Sequence, residues 1–455
     1  MRKAIVTAAL VLASTGGAFA QGGPQPKADA STDSAATVRS KLSMVPPITI
    51  QHVRPQDKRG INMFESPKDD NVAYNGFKLD FGAAFTQQFQ DLEHSNKALP
   101  VMNGTTNANQ LIGIGSGFNN AVANLYVNAQ LAPGIRVAMT SYLSSRHHQE
   151  TWVKDGYILV DASPIDVPLL NDIMKYTTLR VGHFEVNYGD SHFRRTDNGN
   201  AMYNPFVGNL IMDAFTTEIG AEAYLRSNGL LAMAAVTGGE IHGQVTTPEK
   251  RSPAFVGKTG FDRQLMDNVR VRLMGSVYTT KKSASNTLFS GDRAGSRYYD
   301  VLENTASTET AQKSSGMIAP GFGANVTAFQ INPFVKVGGA EMFAVLETAR
   351  GRGWTETKRR EMNQVAVEGV YRFLADEKMF VGARYNQVQG RLAGAAFSGG
   401  DIRVEREQYS AGWFVTPLLM VKGEYVTQKY IDFPATDIRN SGRFRGFMVE
   451  GVVAF

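Results

Sequence analysis

The stretch that decides the fold is GRFRGFMVEGVVAF, Gly442 to Phe455, the last fourteen residues of the chain. Side chains of an extended strand point to alternate faces. Phe447, Val449 and Val453 therefore share one apolar face, which can lie against lipid, whereas the opposite face carries Glu450. The pattern predicts an extended strand that ends at an aromatic residue and has one face suited to lipid; an edge strand of a β-sandwich is the alternative.

The amino end has the layout of a secretory signal peptide. Met1–Lys3 is basic, Ala4–Leu12 is apolar, and Ala18–Ala20 gives a small-x-small cleavage pattern. A stretch of this length is too short to span a bilayer. Residues 1–20 are therefore predicted to be a signal peptide that exports the chain, and an uncleaved anchor is the alternative.

The composition narrows the class of protein further. The 455 residues include no cysteine, which excludes disulfides and thiolate metal sites. After the signal, no apolar run is long enough for a membrane helix. Apolar residues are dispersed singly among polar ones, as a barrel with a lipid-facing exterior and a wet interior requires. The net charge of +5 comes without a basic cluster, so no nucleic-acid partner is expected. No cofactor is expected either.

Residues 21–75 are predicted to form a periplasmic amino-terminal segment ahead of a barrel over residues 76–455. Gln25 to Ser43 is rich in Ala, Ser, Asp and Pro, a composition typical of disorder. Gln51 to Gly60 is charged. Two interpretations of this charged run remain open: it docks inside or beneath the barrel, or it is a solvated linker.

From Phe77 onward the alternation of apolar and polar residues becomes regular. Phe77, Leu79 and Phe81 share one face of the first strand, and Lys78 and Asp80 share the other. About sixteen such strands follow one another, in an all-β antiparallel barrel. They are predicted near 77–90, 121–131, 135–143, 152–162, 178–188, 214–226, 230–239, 254–261, 269–278, 326–337, 341–350, 365–373, 379–386, 403–414, 419–430 and 442–455.

The connections alternate between short and long. Short turns are predicted at 132–134, 227–229, 338–339, 374–378 and 416–417; long loops include 93–117, 189–213 and 281–325. Every short turn falls on the same side as the carboxyl terminus, which predicts short periplasmic turns and long extracellular loops. The stretch Ser163 to Tyr176 is the exception, a longer periplasmic turn or an extra short helix.

Four stretches carry a resemblance to a known family. The terminal strand resembles the closing strand of bacterial outer-membrane barrels, and the polar loop 189–213 resembles the inward third loop of general bacterial porins. Leu179–Phe184 and Ile219–Glu222 are similar to the phosphate-selective porin superfamily. The resemblance implies a homotrimeric outer-membrane porin among lipid and lipopolysaccharide. It also implies that the barrel-assembly machinery recognises Phe455.

The strand count and the resemblance together predict a function. Eight strands fill their interior with side chains, whereas sixteen leave an aqueous channel. We expect a water-filled channel for passive diffusion of small hydrophilic solutes or ions, constricted by residues 189–213. The alternatives are an anion- or phosphate-selective porin, an outer-membrane hydrolase built on Asp190, Ser191 and His192, and an adhesin-type barrel. An enzyme is not expected, because adjacent residues rarely converge into a catalytic triad.

The parity of the strands predicts which charged residues face the lumen. The candidate pore-lining and constriction residues are Arg136, Arg146, Glu218, Glu222, Arg226, Arg270, Arg272, Glu368, Arg372, Arg384, Arg194 and Arg195. They could set a transverse field with a preference for anions, or they could form cross-strand ion pairs that brace a wet wall.

Two smaller patterns complete the expectations. His147 and His148 are adjacent, which is poor geometry for a metal, and no metal site is expected. Aromatic residues near strand ends, including Tyr371, Trp413 and Phe414, are expected to form girdles at the membrane interfaces.

Overall fold

A computed structural model describes residues 45–68, 72–143, 151–241, 243, 245–291, 297–308, 311–312 and 314–455. Residues 45–455 belong to one compact unit. The predicted signal peptide, residues 1–20, lies outside the described residues, as do the candidate Arg146 and the pair His147 and His148. No helix among the described residues is long and apolar enough to cross a membrane.

Sixteen long antiparallel strands of the described chain form the barrel. They are β1 Lys78–Ser95, β2 Val122–Ala132, β3 Ile135–Leu143, β4 Thr151–Val160, β5 Thr177–Glu185, β6 Thr217–Ser227, β7 Leu230–Thr237, β8 Ala254–Met266, β9 Val269–Thr280, β10 Asn325–Val337, β11 Ala340–Arg352, β12 Arg360–Phe373, β13 Met379–Gly390, β14 Ile402–Thr416, β15 Leu419–Ile431 and β16 Arg443–Ala454. Strand β1 pairs with β2 on one side and with β16 on the other, so the sheet closes. The predicted fold class is confirmed.

The remaining regular elements are short. They are the helix α1 Pro168–Met174, the 3₁₀ turns Lys58–Gly60, Ser191–Phe193, Pro248–Lys250, Ala375–Glu377 and Ala395–Phe397, and the two-residue strands Met102–Asn103, Thr106–Asn107 and Gly117–Phe118. The helix α1 lies in the connection from β4 to β5, so the extra short helix was the correct alternative there.

The closing strand has the two faces that its sequence predicts. Phe447 and Val449 are 60% and 48% exposed on the outer surface, whereas Met448 and Glu450 are buried on the lumen side. The same alternation continues through the register of β1 with β16. An apolar exterior around a polar interior is the arrangement that spans a bilayer without an unpaired sheet edge.

The connections divide between two rims. Six short ones, of two to five residues, lie at what we call the turn rim with the start of β1, the end of β16 and the longer connection that contains α1; the described connections that alternate with them lie at the loop rim. At the β6–β7 hairpin, Asn228 and Gly229 both adopt positive φ, of 50° and 75°, as the tightest hairpin turns require. The turn at Asp267 and Asn268, between β8 and β9, was not among the predicted ones.

One aromatic assignment from the sequence was wrong. Trp413 is 51% exposed on the outer surface, as expected for a girdle, but Phe414 is only 2% exposed and faces the lumen. Consecutive residues of a strand point to opposite faces, so both cannot contact the membrane. Tyr371, 55% exposed, lies on the outside as expected.

Three non-strand segments contact inward-facing side chains of the described barrel. In the loop between β9 and β10, Tyr298 donates to Glu424 at 2.6 Å, and the Gly316 carbonyl accepts from Arg406 at 2.5 Å. The other two segments line the candidate site. The first is loop L3, residues 186–216, which connects β5 to β6 and is buried along almost its whole length. The second is the amino-terminal segment, residues 45–68, which lies towards the turn rim: the Lys58 backbone N–H donates to the Pro417 carbonyl at 3.1 Å. Both segments pack against inward-facing side chains of the wall, and these contacts define the candidate site.

Candidate functional site in the barrel lumen

Loop L3 is fastened to the wall through its own backbone. The Val207 N–H donates to the Glu424 carboxylate at 2.8 Å, and the Ile211 N–H donates to the Asn386 side-chain oxygen at 2.7 Å. Buried backbone groups outside regular structure must find such partners. Inward polar residues of the strands therefore supply the hydrogen bonds that an irregular loop inside a barrel lacks.

Lys422 is a wall residue whose side chain makes several contacts with L3. Its buried ammonium donates to the carbonyls of Ala201, Asn204 and Phe206 at 3.0, 2.7 and 2.7 Å, and it pairs with Glu450 at 2.8 Å. An ammonium has three donors in a compact head, which suits the capture of several carbonyl groups. This one side chain therefore holds a bend of L3 against the wall.

A first ionic cluster joins three parts of the chain. Glu65 of the amino-terminal segment contacts Arg272 at 2.9 Å and Lys258 at 3.1 Å, and both cations also contact Asp190 of L3, at 2.8 and 2.7 Å. The cluster also includes Asp262, which contacts Arg272 at 3.1 Å. Segment, loop and wall thus share two cations, and none of the three can move without breaking an ion pair.

The pKa values of the two inner carboxyl groups reflect this sharing. Burial raises the pKa of Glu65, but the charges of Arg272 and Lys258 outweigh it and hold that pKa well below its ordinary value. Burial likewise raises the pKa of Asp190, and the same two cations lower it overall. Both groups are therefore carboxylates at neutral pH.

A second ionic cluster lies on another part of the wall. Arg194 of L3 contacts Glu368 at 2.8 Å and Glu341 at 3.4 Å. Glu341 also contacts Arg372 at 2.6 Å, and Glu368 contacts Arg384 at 2.7 Å. All five side chains are nearly inaccessible to solvent, so each charge depends on its partners.

Several of the lumen ion pairs join residues that lie directly opposite each other on neighbouring strands. They are Arg180 with Glu222, Asp262 with Arg272, Lys336 with Glu341, Glu368 with Arg384 and Lys422 with Glu450. Opposite charges at directly paired positions stabilise a sheet. For these residues the structure supports the interpretation that the charges brace the wall.

A cavity of about 190 Å³ remains between L3, the amino-terminal segment and the wall formed by β2 to β6. Its charged lining comprises the basic residues Arg54, Arg136, Lys154, Arg180, Arg195 and Arg226 and the acidic residues Glu65, Asp155, Glu185, Asp197 and Glu222. Every acidic residue of this set has a basic partner. The pairs are Glu65 with Arg272, Asp155, Glu185 and Asp197 with Lys154, and Glu222 with Arg180.

Three of the basic residues lack such a partner. Among the described residues, no carboxylate lies within ion-pair distance of Arg54, Arg136 or Arg226. Arg54 instead donates to the carbonyls of Gly60 and Phe193 at 3.0 and 2.9 Å, and burial lowers its pKa. The electrostatic potential in the cavity is therefore positive on the side of these guanidiniums.

The structure separates the predicted site residues into four places. Arg136, Arg195, Glu222 and Arg226 line the cavity; Arg270 and Arg272 lie at the first ionic cluster; Arg194, Glu368, Arg372 and Arg384 form the second; and Glu218 accepts from Tyr278 at 2.6 Å elsewhere in the lumen. They do not form one ring around a single constriction.

Sequence reasoning missed several important residues for three reasons. Arg180 and Glu341 lie in predicted strands with inward parity, so a complete parity count would have found them. Lys258 lies in β8, whose alternation is weak in sequence. Arg54 and Glu65 belong to no strand, and no periodic signal marks them.

The hydrolase residue types do not assemble into a catalytic group. His192 contacts Glu185 through Nδ1 at 2.8 Å and Asn187 through Nε2 at 2.9 Å, so both ring nitrogens are engaged. Asp190 contacts Arg272 and Lys258. The imidazole is thus not presented to Ser191, as a serine nucleophile would require.

A closed sixteen-stranded barrel with an apolar exterior and a charged lumen has the architecture of a transmembrane β-barrel. No protein-family model matches the sequence, and no curated protein matches it either.

Several solved structures have a similar barrel. OmpT of Vibrio cholerae in its trimer form is 12% identical, with a TM-score of 0.49 over 84% of this chain and 100% of that one. An anion-selective porin from Comamonas acidovorans is 10% identical, with a TM-score of 0.49 over 83% and 100%. The outer membrane channel DcaP of Acinetobacter baumannii is 10% identical, with a TM-score of 0.46 over 84% and 98%. These values say nothing about the solute.

Proposed function

We propose that this protein is an outer-membrane channel through which small hydrophilic solutes and ions diffuse passively. The observation that carries the proposal is the polar cavity between L3, the amino-terminal segment and the wall from β2 to β6. Polar space next to a charged wall is suited to hydrated solutes and unsuited to apolar ones. In this proposal L3, which includes the predicted constriction 189–213, and residues 45–68 narrow the path.

The cellular setting belongs to the same proposal. The signal peptide exports the chain, the turn rim faces the periplasm, and the loop rim faces outward among lipopolysaccharide. The assembly machinery recognises the strand that ends at Phe455, and three copies form a homotrimer. Support for the membrane position comes from the outer-surface residues, of which Phe81, Phe85 and Phe447 are 67%, 44% and 60% exposed.

Single-channel recording in a planar bilayer tests the proposal. Purified, heat-modifiable barrel is expected to give stepwise and long-lived openings, and three equal conductance levels would support the trimer. A folded barrel that produces no openings over a range of salt concentrations and voltages would contradict the proposed channel. A porin of known conductance, treated in the same detergent, controls for insertion into the bilayer.

A preference for anions is the second candidate function, and one observation favours it. Arg54, Arg136 and Arg226 line the cavity without carboxylate partners, whereas the cavity's acidic residues are all paired. With six basic and five acidic side chains, the described lining has a formal excess of one positive charge. A reversal potential measured across a KCl gradient should have the sign of chloride permeation. The sign of potassium permeation would exclude this preference.

A further inference from the structure

Arg136 and Arg226 converge on the same residue of the amino-terminal segment. Arg136, only 3% exposed, reaches the Ser66 hydroxyl with Nη2 at 3.4 Å and the His52 carbonyl at 3.1 Å. Arg226 donates from Nη1 to the Ser66 carbonyl. Two guanidiniums, one from β3 and one from β6, therefore flank Ser66 at the edge of the cavity.

The hydrogen-bonding capacity of these two guanidiniums is only partly used. The Nε atoms of Arg136 and Arg226 are buried and have no partner. The remaining Arg136 contact, from Nη1 to the Asn128 side-chain oxygen, is long at 3.5 Å. A buried donor without an acceptor is costly, and so is a buried charge without a counter-charge.

No acidic side chain of the described residues is placed to fill this gap. The nearest candidates on the cavity wall are engaged elsewhere: Glu222 with Arg180 at 2.5 Å, and Glu65 with Arg272 at 2.9 Å. Arg226 is held in place from another direction, with its guanidinium 5.0 Å from the Tyr224 ring centroid. Within the described part of the chain, neither cation has a carboxylate at ion-pair distance; the charge of Glu65 acts on Arg226 only from farther away.

We propose that Arg136, Arg226 and the Ser66 hydroxyl form a binding site for a small oxyanion, which carries either a phosphate or a carboxylate group. Guanidinium groups bind such oxygens in a forked geometry, and a hydroxyl adds one more donor. The site rests on the proposed channel function and deepens it. It assigns recognition of the solute to the place where the amino-terminal segment meets the wall, and not to L3 alone.

Equilibrium binding to the folded barrel in detergent tests the site. Inorganic phosphate and succinate are titrated calorimetrically into the wild type and into the double variant Arg136→Gln, Arg226→Gln. We expect the double variant to bind the better of the two probes at least about tenfold more weakly. Arg443→Gln, which removes an exposed charge from β16, is the matched control and should bind as the wild type does.

A second variant distinguishes whether the two arginines bind a ligand or only brace the amino-terminal segment. It can also be used if the double variant does not fold. Ser66→Asp places a carboxylate between the two guanidiniums, which strengthens the bracing but occupies the proposed site. We expect this variant to fold, as judged by heat-modifiable mobility, and to lose phosphate and succinate binding. Unchanged binding in Ser66→Asp, or binding of neither probe by the wild type, would overturn the site.

The conductance measurement tests the proposed channel, and the binding measurement tests the proposed oxyanion site, so each proposal can be contradicted without the other. If the wild type conducts ions but binds neither probe, the proposed channel is supported and the proposed oxyanion site is contradicted. If the wild type binds a probe through Arg136 and Arg226 but never conducts ions, the proposed oxyanion site is supported and the proposed channel is contradicted. If phosphate alone binds, the recognised group is a phosphate; if succinate alone binds, it is a carboxylate; and if both bind equally well, the site accepts either oxyanion.

Discussion

Glu65 shows how one carboxylate connects a segment without regular structure to the barrel. Its partners Arg272 and Lys258 come from β9 and β8, and both also contact Asp190 of L3. Breaking a buried ion pair by removing one partner typically costs about 3–5 kcal/mol, because the other charge is left uncompensated. The positions of the amino-terminal segment and of L3 are therefore energetically coupled through two side chains.

The pH dependence of this coupling follows from the two lowered pKa values. Glu65 and Asp190 have ordinary pKa values of 4.5 and 3.8, and both are lowered in the folded protein. A lowered folded pKa gives a stabilisation that is complete above the ordinary value and is lost as the pH falls through the folded value. We expect the conductance to be constant from pH 7 to about pH 5 and to rise at more acidic pH as the segment loosens. A conductance that rises between pH 7 and pH 5 would contradict this assignment.

Lys422 permits a sharper test on stability. Lys422→Met should leave Glu450 buried without its cation and three L3 carbonyls without their donor. We expect the free energy of unfolding to fall by about 3–5 kcal/mol, measured by urea titration in lipid vesicles. Lys429→Met, on the exposed face of the same strand, is the control and should change it by about 0.5 kcal/mol or less. Equal effects of the two variants would show that the contacts of Lys422 contribute little.

The strands and the two lumen segments differ in how well the sequence foretold them. Strands such as β1 and β16 have apolar residues at every second position, because one face meets lipid and the other meets water. Because the two faces meet different environments, the sequence of each strand alternates between apolar and polar residues. The order of the strands and the face of each residue could therefore be predicted. A segment inside the lumen is under no periodic constraint, and the charged run Gln51–Gly60 left two interpretations open.

The ionic partners were harder to predict than the faces. Parity placed Arg272 in the lumen correctly, but its partners Glu65 and Asp190 come from parts of the chain that only the three-dimensional structure brings together. Pairs that lie directly opposite each other, such as Glu368 with Arg384, depend on the register of the strands. Register requires the lengths of both connecting turns and was not predicted residue by residue.

The amino-terminal segment should act as an obstruction that can be removed. A chain without residues 45–68 loses the contacts to Arg272, Lys258 and the turn rim, and the lumen gains the volume that those residues fill. We expect a larger single-channel conductance, because the cross-section open to water increases. The matched control keeps the length but shuffles the sequence of residues 45–68. If the deletion and the shuffled chain both conduct as the wild type does, the segment does not narrow the path.

The barrel as a whole should be sensitive to charge on its outer surface. Val449, at the middle of β16, is 48% exposed and lies on the predicted lipid-facing side. Val449→Arg is expected to lower the free energy of unfolding in vesicles by about 2–4 kcal/mol, the cost typical of a cation at the bilayer midplane. Arg445→Gln, near the loop rim, controls for changes in net charge. A neutral effect of Val449→Arg would place this face against protein or water instead of lipid.

The seam between β1 and β16 has a consequence for how the chain reaches its folded state. Gln88 and Glu450 are hydrogen-bonded across this seam although 362 positions separate them in the chain. Contacts of such separation form late, since the intervening chain must be ordered first. Until β16 is synthesised and in place, β1 carries a row of unpaired backbone groups over residues 84–95, beside the exposed Phe85, a combination that favours aggregation. The first strand to be synthesised is thus the last to have all its backbone hydrogen bonds formed, and it must be kept from aggregating between synthesis and insertion into the membrane.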